Sequence, residues 1–338
     1  MEKRRPNFGA STPLLVLLMT ATSAADPPET IRRLPPIDVI PPSQIIPADD
    51  ILLFLPASDP PEFRTPGDMF PPPQPHLQPH KKGFFQKLAF TTTAILPDGN
   101  DGLGILEMEL LAAFAVPAPS PQTPLLLIPT LQVDFVDHPA EVVLPGTLYA
   151  GLIEFVWLPK LGARTLGVLA VAPGWYSDFR DGDSGAFRLT GRALARYDWQ
   201  PDRVQLVLGA AYLNRVHSRW IPVGGVIWMP SADLHFELVF PQTKVARRTL
   251  WGRGFEHWIY LTGGFGGNDW AVVRPDGSRD RLGLLDWRIT AGWERRMDGG
   301  AGLHFEVGYV FSREIRFASA DERFSPGDTL LLRAGIAF

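Results

Sequence analysis

The chain contains no cysteine, which removes disulfides, thiolate metal centres and thiol nucleophiles together. It carries little charge, 20% of residues, and its net charge of −4 leaves no basic surface for a nucleic-acid partner. It also lacks an apolar run approaching the ~20 residues that a membrane-spanning helix needs, because every long apolar stretch is broken by Pro, Gly or a charge. Glycine (32) and proline (34), by contrast, are abundant, and aromatics reach 11% with ten Trp and 21 Phe. A hydrophobic content of 45% excludes a wholly disordered protein, and 338 residues suit two soluble domains or one large all-β domain.

The N-terminus has a basic "MEKRR", a short apolar "PLLVLLMTA" and small residues in "ATSAAD". That layout predicts a secretory signal peptide over residues 1–25, cleaved after Ala24 or Ala25. Residues 26–82 follow with 16 prolines, a density that forbids regular helix or sheet and predicts an extended periplasmic segment. The apolar "ILLFLP" at 51–56 gives that segment something to dock with, as a plug. His76 and His80 lie among the prolines, where a solvated linker explains them without a metal; no cofactor and no metal site is expected.

From about Phe84 the pattern changes. Turn-like pieces such as "PDGNDG", "PKLGA", "RDGDSG", "MPSAD", "RPDGSRD" and "MDGG" recur every 10–20 residues, separated by long runs of period two. In 186–199, Phe187, Leu189, Ala193, Ala195, Tyr197 and Trp199 alternate with Arg188, Thr190, Arg192, Arg196 and Asp198. In 303–311, Leu303, Phe305, Val307, Tyr309 and Phe311 alternate with a set containing His304 and Glu306. Period two puts successive side chains on opposite faces of a strand. The runs are about twice the usual ~5–6 residues and match the ~9–11 residues of a tilted strand that crosses a bilayer. Aromatics gather near the run ends, at Tyr149 and Trp157, Trp175 and Tyr176, Tyr197 and Trp199, Trp228, and Trp258 and Tyr260, as interfacial girdles do.

Fourteen runs can be counted: 84–96, 104–116, 124–136, 147–158, 164–176, 186–199, 203–214, 220–229, 232–240, 243–251, 257–273, 283–296, 301–314 and 328–338. If the poorly apolar 243–251 is a loop and a neighbour merges, twelve remain. With both termini periplasmic, parity puts "PKLGA", "QPD", "PSA" and "MDGG" on the periplasmic side and the long "SDFRDGDSG", "RPDGSRDR" and "FASADERFSPGD" on the other. Short inner turns and long outer loops are the rule for such barrels. The expected fold is therefore all-β: a transmembrane antiparallel up-and-down β-barrel over 83–338, with an irregular Pro-rich N-terminal segment.

The chain ends on "LLLRAGIAF", an apolar alternation that stops on Phe338. With alternate hydrophobics before a terminal aromatic, Leu332, Ile336 and Phe338 resemble the closing strand of the bacterial outer-membrane β-barrel superfamily; Arg333 occupies the slot where that family prefers glycine. The stretch 220–248, "WIPVGGVIWMPSADLHFELVFPQTKVARR", is similar to an uncharacterised family of predicted outer-membrane barrels. The resemblance implies residence in the outer membrane of a Gram-negative-type bacterium. It also implies contact with outer-membrane lipid and recognition of the last strand by the barrel-assembly machinery; it carries across no catalytic residue.

The polar candidates for the lumen are Arg188, Arg192, Arg196, Asp233, His235, Glu237, Arg288, Glu294, His304 and Glu306, joined by Arg296, Glu107, Glu109 and Glu154. His-x-Glu at 235–237 and 304–306 puts both groups on one face of a strand, an arrangement that serves a general acid–base pair or simple cross-strand pairing. His217–Ser218 are strand neighbours that point apart, and the glycines of "GGFGGND" at 263–269 precede no helix, so neither a nucleophile pair nor a phosphate loop is expected. The leading expectation is a channel or transporter for small solutes without chemistry of its own. The alternatives are a structural or adhesive barrel with a filled lumen, and an outer-membrane hydrolase using the lumen His and Glu residues.

Overall fold

The computed structural model describes residues 83–99, 102–120, 123–137, 142–180, 185–216, 219–320 and 323–338, together with Leu77. The expected signal peptide at 1–25, the Pro-rich segment at 26–82 (Leu77 excepted) and His217–Ser218 lie outside the described residues. Fourteen antiparallel strands form the wall. They are β1 (Phe85–Ile95), β2 (Gly104–Ser120), β3 (Thr123–Asp137), β4 (Thr147–Trp157) and β5 (Thr165–Ser177). Next come β6 (Phe187–Gln200), β7 (Val204–Tyr212), β8 (Trp220–Ser231), β9 (Leu234–Phe240) and β10 (Gln242–Gly252). The last four are β11 (Phe255–Gly266), β12 (Arg279–Met297), β13 (Gly302–Phe317) and β14 (Thr329–Ala337). Each strand pairs with the next, and β14 pairs with β1 from Ala89↔Ala337 to Ile95↔Leu331, which closes the sheet into a barrel and leaves no free edge.

The run 243–251 is a full strand, so fourteen is the number and twelve is excluded. The run 257–273 is interrupted at Gly267, whose φ is +81°; Asp269–Val273 then resumes the same register and bends in over the long-loop end. That segment pairs with Arg279–Gly283 of β12 and meets Ser177 of β5 in parallel. The connections differ sharply between the two ends. Turns as tight as Ala232–Asp233 and Arg253–Gly254 join strands at the end that also holds Phe85 and Ala337, while the longer loops, including 267–278 and 318–328, lie at the other. One connection departs from this rule: β9 passes to β10 through Pro241 alone, at the long-loop end.

The outward face is apolar throughout. Leu88, Leu110, Leu131, Ile153, Leu169, Leu208, Leu238, Leu261, Ile289, Val307 and Leu332 are all exposed, Leu208 to 73%. Exposed aromatics ring both ends of this belt. Tyr149, Trp175, Phe187 and Trp220 stand toward the long loops, and Tyr197, Trp199, Trp228, Trp251 and Phe305 stand toward the short turns. Tyr176, Trp258 and Tyr260 do not belong to these rings, as the sequence suggested; they are buried inside, because their parity on β5 and β11 is that of the inward residues. Such an architecture is compatible with an outer-membrane barrel.

The interior divides into two halves. Over β2–β8 Leu126, Ile128, Val156, Val168, Val207 and Ile227 pack into one apolar cluster, with Glu154, Arg188 and Arg192 as buried charged residues on the same strands. Over β9–β14 and β1 the inward residues are mainly polar and charged. A second apolar cluster fills the long-loop end, where Trp270 and Val272 of the turned-in segment pack with Ile95, Leu148, Ile315 and Leu331. The apolar half arises because strands such as β3, with Leu125–Ile128, are hydrophobic at both parities.

Candidate functional site

The charged side chains of the interior form a ladder of pairs, some across strands and some, as Arg288–Asp286 and Arg296–Glu294, within one strand. Arg192 donates to Glu154 at 2.9 Å, Arg288 to Glu107 at 2.9 Å and Asp286 at 2.6 Å, and Arg333 to Glu306 at 2.8 Å and Thr93 at 2.9 Å. Arg296 also pairs with Glu294, and Lys244 Nζ stands 3.5 Å from the same carboxylate. Register explains the ladder. Directly opposite residues share a face, so Tyr260, Gly292, Glu306 and Arg333 form one row across β11–β14. The Tyr260 hydroxyl crosses the whole width of β12 to donate to Glu306 at 2.9 Å. Gly292 permits this, since a Cβ there would run into the Tyr260 ring. Burying each charge alone would cost several kcal/mol, and pairing with further hydrogen bonds offsets that cost.

The candidates named from the sequence fall into distinct places. Arg188, 1% exposed, sits at the long-loop end and donates to Asn268 Oδ1 at 2.8 Å and to the carbonyls of Asp269 and Leu213, each at 2.7 Å. It therefore pins the turned-in segment to the wall. Arg192, Arg288, Glu294 and Glu306 belong to the ladder, with Glu107 and Glu154 as partners. Arg196 lies at the short-turn end of β6, 3.9 Å from Asp198, and Glu109 is buried on β2. His235 Nε2 is 3.1 Å from Glu237 Oε1, so this pair meets within its own strand. His304 is buried with its ring against Gly335, beside a small cavity lined by Lys87, Glu294 and Arg296.

Asp233 stands at the rim of the lumen, at the short-turn end. It lies in the turn between β8 and β9, its side chain 44% exposed, and accepts from Arg248 at 2.8 Å. The strand β9 itself begins at Leu234. Leu332, Ile336 and Phe338 all point outward, Phe338 being held by paired backbone bonds with Leu88 at 2.8 and 3.0 Å. Among the described residues no group of three His, Asp or Glu side chains is placed to hold a metal ion.

Where the two halves of the interior meet there is a cavity of about 90 Å³. Leu194, Val207, Val223, Ile227 and Val239 form its apolar side, and Arg192, Glu237, Lys244, Arg288, Glu306 and Arg333 form its charged side. Lys244 and Tyr260, which organise the charged side, were missed in the sequence. Lys244 falls in the run whose weak apolar face made it the least strand-like, and Tyr260 resembled a girdle aromatic. The available signal was parity: Lys244 alternates with Val245 and shares its face with Ala246 and Arg248, both buried.

His235 and Glu237 on β9 are separated from His304 and Glu306 on β13 by three strands, about 19 Å along the wall at ~4.8 Å per strand. Glu237 and Glu306 line the cavity from its two sides, while His304 faces the short-turn end. No protein-family model matches this chain, and no curated protein matches it either.

Proposed function

We propose that this protein is an outer-membrane β-barrel of a Gram-negative-type bacterium that takes small solutes into an internal site and passes them across or into the membrane. The observation that carries this reading is the cavity at the junction of an apolar and a charged wall, inside a barrel whose outer surface is an apolar belt between two aromatic rings. Concave sites with mostly apolar lining and a few placed polar groups are the usual form of small-molecule sites. Outer-membrane lipid is the partner of the belt. The outward Leu332, Ile336 and Phe338 are the surface offered to the barrel-assembly machinery.

Liposome swelling with refolded protein and a panel of sugars, amino acids and fatty acids tests the transport reading. Solute-dependent swelling above protein-free liposomes is expected; no response to any solute counts against it. A structural barrel with a filled lumen is the second reading, favoured by the Arg–Glu ladder and by the apolar cluster at the long-loop end. A hydrolase would need His235, Glu237, His304 and Glu306 around one reacting point, and β10–β12 stand between the two pairs.

A further inference from the structure

The cavity has an unusual balance of donors and acceptors. Arg192 Nε and Nη2 and Arg333 Nη2 are buried without a hydrogen-bond acceptor in the protein, Lys244 Nζ has only the Glu294 carboxylate in ion-pair range at 3.5 Å and makes no hydrogen bond, and all three residues line the cavity. Their side chains are 5%, 3% and 3% exposed. Buried donors of this kind are rare in folded proteins, because each one left unmatched has given up its hydration without a replacement. Arg192 stands on β6 beside Leu194, while Lys244 and Arg333 come from β10 and β14. The unmatched donors therefore surround one space from several strands.

The cavity also has a second side that the ladder does not explain. Its lining includes Thr243 and Gly263, which lie opposite each other and have outward parity, as well as Pro241 and Gln242 at the one-residue β9–β10 connection. The wall is low here. β8 runs on from Gly224, the partner of Phe240, to Trp220, and β12 runs on from Arg288, opposite Gly264, to Arg279. Phe240 at the tip is exposed. The internal cavity is thus lined partly by outward-parity residues and reaches the hairpin tip beside the apolar belt.

Resting on the transport reading above, we infer that the cavity binds the anionic head of a single-chain amphiphile, a carboxylate, between Arg192, Lys244 and Arg333, and that the apolar tail lies along Val239 and leaves the barrel over the β9–β10 hairpin. A carboxylate brings two acceptor oxygens and no donor, which is what the unmatched nitrogens lack. The cavity of about 90 Å³ takes the head and the first carbons only. A longer chain has to leave over the hairpin tip.

The test uses the whole mature chain refolded into lipid nanodiscs, titrated with octanoate, octylammonium, octanol and propionate, with binding followed by calorimetry. Octanoate is expected to saturate at one site per barrel, and octylammonium and octanol are expected to bind at least 10-fold more weakly. Lys244→Met should weaken octanoate at least 10-fold. Gly263→Trp, which fills that exit from the outward face, should weaken octanoate while leaving propionate unchanged. Heat-modifiable migration verifies that each variant is a folded barrel. Equal binding of octylammonium, or octanoate binding indifferent to both substitutions, overturns the inference, as does the absence of saturable octanoate binding. Swelling assays on the same preparation separate the two readings: solute flux without octanoate binding overturns the site alone, and absence of flux with intact octanoate binding overturns the transport reading alone.

Discussion

Arg333 of the closing strand and Glu306 of β13 lie directly opposite each other in register, and Arg333 Nη1 donates to Glu306 Oε2 at 2.8 Å with both side chains almost wholly buried. Arg333 Nε reaches across the seam to Thr93 of β1, so a single guanidinium ties together the strands on both sides of the closure. Removing one member of a buried pair leaves an uncompensated charge, whereas replacing both with apolar groups is often neutral. Arg333→Ala is therefore expected to destabilise the barrel by about 3–5 kcal/mol. Arg333→Met combined with Glu306→Met should recover most of that loss. Urea unfolding in lipid vesicles measures both, and a double variant as unstable as the single one would count against an isolated pair.

Gly292→Ala places a methyl group where the Tyr260 ring crosses β12. The ring has to move, and its bond to Glu306 is lost. Overpacking of this kind costs about 1–3 kcal/mol. The same unfolding measurement checks it, and Tyr260→Phe should reproduce the part due to the hydrogen bond, about 1 kcal/mol.

Charge on the outward face should be penalised according to depth if the belt faces lipid. Leu261→Arg, near the middle of β11, is expected to cost about 2–4 kcal/mol, and Thr249→Arg, close to the short-turn end of β10, about 0–1 kcal/mol. Equal and small effects at both positions would argue that water, not hydrocarbon, covers this surface.

Phe338 is outward and 53% exposed at the short-turn end, yet its backbone completes the ladder with Leu88. Phe338→Asp keeps the backbone bonds and removes the exposed ring. The fraction of heat-modifiable protein recovered from outer-membrane preparations should fall severalfold, while refolding in detergent should change little. Loss in both settings would assign Phe338 to stability instead of to recognition during assembly.

Arg188 ties the segment Asn268–Val273 to the wall with one buried guanidinium, which makes two hydrogen bonds to Asn268 and Asp269 and a third to the Leu213 carbonyl. Arg188→Ala removes all three and is expected to free the loop over the long-loop end. Protease cleavage within 267–278 should become faster, and single-channel conductance in planar bilayers should rise. Unchanged conductance alongside faster cleavage would mean that the apolar cluster around Trp270, and not this segment's attachment, closes that end.

The sequence by itself determined most of the strands and which end of the barrel each connection occupies, and left their number at fourteen or twelve. Period-two alternation is a property of the local backbone, so Leu330, Leu332 and Ile336 declare their common face without reference to any other strand. Turn chemistry is equally local, and "QPD" or "MDGG" ends a strand wherever it occurs. Parity also put Arg192, Arg288, Glu294 and Glu306 on the inward face. Only the tertiary structure decided what those residues meet there. Which strands stand beside one another across the seam, how far each is shifted in register, and where the chain bends in after Gly267 are long-range facts. They select Thr93 and Glu306 as partners for Arg333, and Tyr260 as the side chain that crosses Gly292. The same holds for the cavity. Leu194, Lys244 and Arg333 are distant in the chain and share no local signal, and only closure of the sheet brings an apolar wall and a charged wall to face each other across one small space.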